Sequence, residues 1–406
     1  MRSLSLYAIA VVTAFSVFGN FVFAAPTTSD GGKAGSKRYI VMLNTNTNMT
    51  SHKVWLNGEW AKMKSNTSTM RITSEYDVLN GYTAELTDDV VAKLANSSSV
   101  ATLAPDVPCS GQLIQTNAPW GISRISRTTK LPLGSSVNNV NYIFRRKPSS
   151  LGIDVYVLDT GVNTAHLDFG NRATWGATFG GYQNQDGHGH GTHVAGTIAG
   201  RRYGVAKAAS IIAVKVLNDQ NRGWMSHVIA GVNWATARAL ASGRPSVINI
   251  SIASDDPHPP TDWAVTNAVN LGMHVVVAAG NGNTLCTVTS PARAPAVLTV
   301  GATTINDRRW VWSATSGSNF GPGVDIFAPG EYITSTWIGS NTATRRMTGT
   351  SMAAPHVSGL VAYLLAIEGR RTPAAMRARI KVLGPNGLLT GIPPNTINEI
   401  IWNGGD

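Results

Sequence analysis

From Ser110 onward, short β-branched apolar runs alternate with helical stretches, and this alternation narrows the fold more than any other feature of the chain. The runs at 153–158, 211–216, 247–252, 274–279 and 297–300 are apolar at nearly consecutive positions, the pattern of strands buried on both faces. Helical stretches at 193–200, 225–241 and 263–271 lie between them. The succession predicts an α/β chain of three layers, a mostly parallel sheet with helices on both sides. In such sheets reactive side chains gather on the loops that leave the carboxyl ends of strands. Asp159 falls there after the first run, and Asn281 after the fourth.

A second stretch carries chemistry. Thr348-Gly349-Thr350-Ser351 sets a serine on a glycine-flanked turn, after which Val357, Leu360, Val361, Leu364 and Leu365 repeat at helical spacing. Pro355 is expected in the first helical turn, where a missing N–H costs little. A helix N-terminus offers free N–H groups and a positive dipole end to an oxygen that becomes anionic. Taken alone, Ser351 reads as a helix cap. Serine becomes a nucleophile only when a base takes its proton and a carboxylate orients that base. Asp159-Thr160-Gly161 closes an apolar strand with a carboxylate, and His190-Gly191-Thr192-His193-Val194-Ala195-Gly196-Thr197 opens a helix with a histidine.

These three motifs stand in the order Asp…His…Ser, which is the order of subtilisin. With them in hand, the chain resembles a subtilisin-like serine protease of the proteinase K type, from Asn117 to about Asn403. Gln115-Thr116-Asn117-Ala118-Pro119-Trp120-Gly121-Ile122, Tyr203-Gly204-Val205-Ala206-Lys207 and Asp325-Ile326-Phe327-Ala328-Pro329-Gly330 carry further likeness. The resemblance implies that Asp159 orients the imidazole, His190 serves as general base and acid, and Ser351 attacks the carbonyl. Ala278-Ala279-Gly280-Asn281-Gly282 is similar to the family's oxyanion-hole motif, with the Asn281 amide and the Ser351 N–H as donors. Substrate would lie between Gly223 with Trp224 and the strand Ser251-Ile252-Ala253-Ser254. Where the family usually shows Ser-Leu-Gly-Gly, Ala253 and Ser254 replace both glycines. A narrower or reshaped pocket is expected, and Asp255-Asp256 would favour basic substrate residues. Val194 stands where many relatives carry cysteine. The resemblance also implies a structural Ca²⁺ held by the carbonyls of Pro295 and Val297 and by the Asp325 carboxylate, hard oxygens that suit the ion.

The N-terminal part reads as a precursor. Arg2, an apolar run from Leu4 to Phe23 and Val22-Phe23-Ala24 form a secretory signal over 1–24, followed by a linker at 25–36. No other stretch reads as long and apolar enough to span a bilayer. Residues 37–109 have a βαββαβ rhythm and resemble the family's inhibitor prodomain, a small α+β ferredoxin-like unit; the peptidase domain would occupy 110–406, with maturation near Cys109-Ser110. Asn48, Asn66 and Asn96 are glycosylation acceptors by motif, whereas Asn249-Ile250-Ser251 sits in a buried strand pattern. Only two cysteines occur, too few for a disulfide framework.

Net charge is +11, of which the part from Ser110 carries +10, but the basic residues are scattered in pairs such as Arg145-Arg146 and Arg345-Arg346. That distribution argues against nucleic-acid binding. The expectation is a secreted, monomeric serine endopeptidase made as an autoprocessed zymogen, acting on proteins or peptides through an acyl-enzyme and inhibited by its own prodomain. Two other readings stay open: an inactive subtilase-like binding or inhibitory module, and a zinc hydrolase using Asp186, His188, His190 and His193.

Overall fold

The computed structural model describes residues 36–63, 70–106, 112–145, 152–254 and 256–405. The proposed signal and nearly all of the linker, Asn66, the Cys109-Ser110 bond and Asp255 lie outside these residues. The chain divides into two compact units, Met1–Cys109 and Ser110–Asp406.

In the first unit the order is β1 (Lys37–Leu43), α1 (Met49–Lys62), β2 (Met70–Tyr76), β3 (Gly81–Leu86), α2 (Asp88–Ala95) and β4 (Val100–Pro105). The strands form an antiparallel sheet in the order β2-β3-β1-β4. Alternation in β1 sends Tyr39, Val41 and Leu43 inward, where they meet Leu56 of α1 and Val90 and Leu94 of α2. Asn48 caps α1, its side chain accepting the Ser51 N–H at 3.0 Å, and it is exposed, as is Asn96.

The second unit runs β5 (Gln112–Ala118), α3 (Trp120–Arg124), β6 (Val140–Arg145), β7 (Asp154–Asp159), β8 (Ala173–Thr178), α4 (His190–Ala199), β9 (Ser210–Lys215), α5 (Met225–Ser242), β10 (Ser246–Ile250), α6 (Pro259–Asn270) and β11 (His274–Ala278). It continues through β12 (Leu298–Thr303), β13 (Val311–Ser313), β14 (Ser316–Gly317), β15 (Ile326–Pro329), β16 (Ile333–Thr336), β17 (Thr344–Met347), α7 (Thr350–Glu368) and α8 (Pro373–Leu383). Seven strands form one wholly parallel sheet in the order β15-β12-β11-β10-β7-β9-β8.

Side-chain alternation gives that sheet two cores. In β7, Val155 and Val157 join the cluster that contains α4 and α7, while Tyr156 and Leu158 join the one that contains α5 and α6. The chain leaves β7 for the edge strand β8, returns to β9, and then crosses to β10 on the other side of β7. This reversal opens a crevice at the carboxyl end of β7, the favoured place for a site in an open parallel sheet.

Two expectations change here. Pro355 is the sixth residue of α7, beyond the first turn, so its missing N–H removes an internal helix bond to the Ser351 carbonyl. The 19-residue helix α7 is itself apolar enough to pass as a membrane span, with mean hydropathy 1.4 over an 18-residue window, contrary to the sequence reading. It is instead a core helix: every residue from Met352 to Leu365 is buried.

Candidate active site

At the end of β7 the Asp159 carboxylate is fully buried and faces the first residue of α4. His190 Nδ1 lies 2.8 Å from Asp159 Oδ1 and 2.9 Å from Oδ2, and the Thr160 N–H donates to Oδ1 at 2.7 Å. Burial pulls the imidazole's pKa down; the charge and hydrogen bond of Asp159, with the charge of Asp186, outweigh it, and the net shift is upward. Glycine is required next to this histidine, because an added Cβ at Gly191 would lie 2.1 Å from the Gly161 carbonyl oxygen.

Helix α4 starts without a capping side chain at Gly189, and the missing acceptor comes from Asp186. Its Oδ1 accepts from Thr160 Oγ1 at 2.8 Å, Gly189 N at 2.7 Å and His188 N at 3.1 Å. Its Oδ2 accepts from Thr192 N at 3.0 Å and Thr192 Oγ1 at 2.5 Å. Thr160 Oγ1 in turn accepts the Gly191 N–H at 3.0 Å. One carboxylate therefore ties the loop after Asp159 to the helix that carries His190. The sequence placed Asp186 only in a metal cluster; an acid just ahead of a helix start was the signal for this role. Lys215, also buried, reinforces the loop by donating to the Thr160 carbonyl at 2.5 Å and to Asp219 at 2.8 Å.

The remaining histidines turn elsewhere. His193 Nε2 meets the carbonyls of Ile333 and Arg345 at 2.9 and 3.1 Å, and burial pushes its pKa down to about 3. His356 Nδ1 meets the Met352 carbonyl at 2.8 Å, and burial lowers it to about 4. Among the described residues no group of three His, Cys, Asp or Glu side chains is placed to hold a metal ion.

Ser351 is the second residue of α7, after Gly349 at φ +149°. Its hydroxyl donates to the Ser251 carbonyl at 3.2 Å, and the Ser251 hydroxyl donates to the Ser351 carbonyl at 3.0 Å. That carbonyl is the one Pro355 leaves without a helix partner. Ser251 Oγ is held by Asn249 Nδ2 at 3.0 Å, and Asn249 Oδ1 accepts from Ser358 Oγ at 2.8 Å. Asn249 is fully buried with its amide engaged at both ends, which closes it to glycosylation. The relay locks β10 and the segment that follows it to α7 at Ser351 itself.

Asn281 follows β11, and its Oδ1 accepts both the Thr350 N–H at 2.8 Å and the Thr350 hydroxyl at 2.9 Å. The carbonyl end of the Asn281 amide is thus fixed one residue before Ser351. Strand β10 ends at Ile250, two residues short of the predicted limit, and Ser251, Ile252 and Ala253 continue outside the sheet. Ser254 N donates to the Ser290 carbonyl at 2.8 Å, so its N–H is engaged within the chain. Trp224 is 74% exposed, while Gly223 packs against the Val216 carbonyl.

The implied calcium position does not fit an ion. Asp325 Oδ2 accepts the Thr299 N–H at 2.9 Å, and Oδ1 faces Arg377 Nε at 2.8 Å and Arg377 Nη2. Arg377 Nη1 donates to the Pro295 carbonyl at 2.5 Å, and Lys381 Nζ stands 3.6 Å from Asp325 Oδ1. The guanidinium takes two of the three acceptors assigned to Ca²⁺, the Asp325 carboxylate and the Pro295 carbonyl, and a dication is repelled by the two positive charges there.

Comparison with known proteins agrees with this architecture. Residues 150–382 match the model of the subtilase family, and residues 38–110 that of peptidase inhibitor I9. "Subtilisin-like serine protease Pen c 2" of Penicillium citrinum is 40% identical over 351 residues, covering 80% of this chain and 75% of its own. "Subtilisin-like protease 5" of Trichophyton verrucosum is 36% identical over 412 residues, covering 99% and 97%. The crystal structure of a cold adapted subtilisin-like serine proteinase matches with a TM-score of 0.61 at 37% identity, covering 72% of this chain and all of its own. The chain belongs to the subtilase family, a subtilisin-like serine endopeptidase carrying an inhibitor-type propeptide ahead of its peptidase fold.

Proposed function

We propose that the chain is a secreted zymogen whose mature part cleaves peptide bonds through an acyl-enzyme formed on Ser351. The observation that carries this is the buried Asp159–His190 pair, with Nδ1 on the carboxylate at 2.8 and 2.9 Å; a second support is the Asn281 amide bonded to Thr350, the residue before Ser351. With Nδ1–H committed to Asp159, neutral His190 presents a basic Nε2. An extended substrate lays a backbone N–H on the Ser251 carbonyl and competes for the acceptor that holds the Ser351 hydroxyl. The released proton passes to Nε2 as Oγ attacks the scissile carbonyl. Asn281 Nδ2 and the Ser351 N–H take the charge that develops on its oxygen. Imidazolium then returns the proton to the leaving amine, and water repeats the sequence to free the enzyme.

The substrate strands are Gly223 with Trp224 on one side and Ser251, Ile252, Ala253 and Ser254 on the other. The engaged Ser254 N–H leaves Ile252 and Ala253 as the residues on which peptide backbone pairs. The segment 37–109 acts as the chain's own inhibitor until cleavage near Cys109-Ser110; 1–24 directs secretion; Asn48, Asn66 and Asn96 carry glycans; the mature enzyme works as a monomer, without nucleic acid or membrane insertion. The exposed positions of Asn48 and Asn96 support the glycan assignment. Labelling with a fluorophosphonate tests the reading. Wild type is expected to label and Ser351→Ala not to; correctly processed wild type that fails to label sinks the protease and leaves the inactive module.

A further inference from the structure

The acceptors around Asp325 ask for a cation, and the chain brings one. Asp325 is 3% exposed at the entrance to β15, and a buried carboxylate must be matched by charge and hydrogen bonds. Thr299 N–H satisfies one oxygen at 2.9 Å. The other receives the Arg377 fork, whose third nitrogen reaches the Pro295 carbonyl on the loop before β12. A planar guanidinium suits this job, because its fixed donors contact a carboxylate and a carbonyl together. Helix α8 is set up to deliver it. Thr372 caps the helix by accepting the Ala375 N–H at 3.2 Å, Pro373 opens it, and Arg377 and Lys381 fall one turn apart on the face toward Asp325.

We propose that Arg377 is a built-in replacement for a bound divalent cation, which makes the join between β12, β15 and α8 independent of calcium. The assignment concerns stability and stands whether or not the catalytic reading holds. Its reach extends toward the substrate side. The clamped loop runs back through Ala292, whose carbonyl accepts Thr299 Oγ1 at 2.8 Å, to Ser290, whose carbonyl holds the Ser254 N–H at 2.8 Å. Removing the guanidinium would leave hard oxygens around a buried negative charge, a vacancy that Ca²⁺ can fill.

The test uses the full chain, inactivated at Ser351 to stop self-digestion, in excess chelator and in millimolar calcium chloride. Bound calcium per chain and the thermal midpoint are measured for wild type, Arg377→Gln, Arg377→Lys and the Arg377→Gln/Asp325→Asn pair. Arg377→Gln is expected to bind one ion more than wild type and to lose midpoint in chelator that calcium restores; folding only in calcium is the same result in stronger form. The pair should gain no ion. Arg377→Lys keeps the charge, so it should gain no ion and show a lowered midpoint no more sensitive to chelator than wild type. The proposal is overturned if Asp325→Asn in the wild-type background loses one bound ion, if folded Arg377→Gln gains none, or if Arg377→Lys becomes calcium-dependent. Should Arg377→Gln fold in neither condition, Arg377→Lys and Asp325→Asn decide the matter by the same criteria.

Discussion

Two buried carboxylates in the peptidase unit are dressed almost alike and face partners of opposite character. Asp159 and Asp325 are 0% and 3% exposed, each takes a backbone N–H, and each faces a nitrogen base at 2.8 Å. They differ in the partner. Asp159 faces an imidazole, which gains and loses a proton near neutral pH. Asp325 faces a guanidinium, which never does. A site that must move a proton needs a partner whose charge changes, and a site that must hold three elements together needs one whose charge is permanent.

The sharpest way to break this comparison is to neutralise each carboxylate. Asp159→Asn should lower kcat about 10⁴-fold, the effect of the wrong imidazole tautomer, with little change in thermal midpoint. A loss that shows in the midpoint and spares kcat would make Asp159 a structural anion like its counterpart. Asn281→Leu comes next, with a fall of about 10²–10³-fold in kcat at nearly constant KM. Asp325→Asn should instead destabilise by about 3 kcal/mol, read by denaturant unfolding, because it strands a cation against the Pro295 carbonyl.

Titration separates the two sites further. His190 must be neutral to act as a base, and its pKa is raised above 6.5 because the Asp159 carboxylate outweighs the downward pull of burial. Activity should therefore fall as pH drops through a value above 6.5, and Asp159→Asn should move that acid limb down. A limb unmoved in Asp159→Asn would mean that the imidazole titrates without its carboxylate. The smallest expected effect is Ser251→Ala, which orphans the Ser351 carbonyl and should lower kcat by about 3- to 10-fold.

The residues proposed for catalysis, Asp159, His190, Asn281 and Ser351, could be picked out of the sequence because each sits in a short motif whose residues are neighbours in the chain. The central sheet was legible for a similar reason: strands buried on both faces leave runs of apolar residues. The edge strand β8 left no such run, since most of Ala173–Thr178 is only half-buried. Arg377 was invisible because it acts 52 residues from Asp325 and 82 from Pro295, on a helix whose own pattern says nothing about its target. Pro355 shows the same limit. Its spacing from Ser351 was plain, but that Ser251 would supply the bond it withholds depends on a segment 100 residues away.

The Arg377 clamp also sets an order of events during synthesis. A metal ion can enter as soon as its ligands exist, so a site made of Pro295, Val297 and Asp325 would be ready before the C-terminal helices are made. A guanidinium carried on α8 arrives only when the ribosome has passed Arg377, after α7 is already complete. The join between β12 and β15 thus closes late, and a chain cut short before α8 must draw a cation from its surroundings in place of the guanidinium.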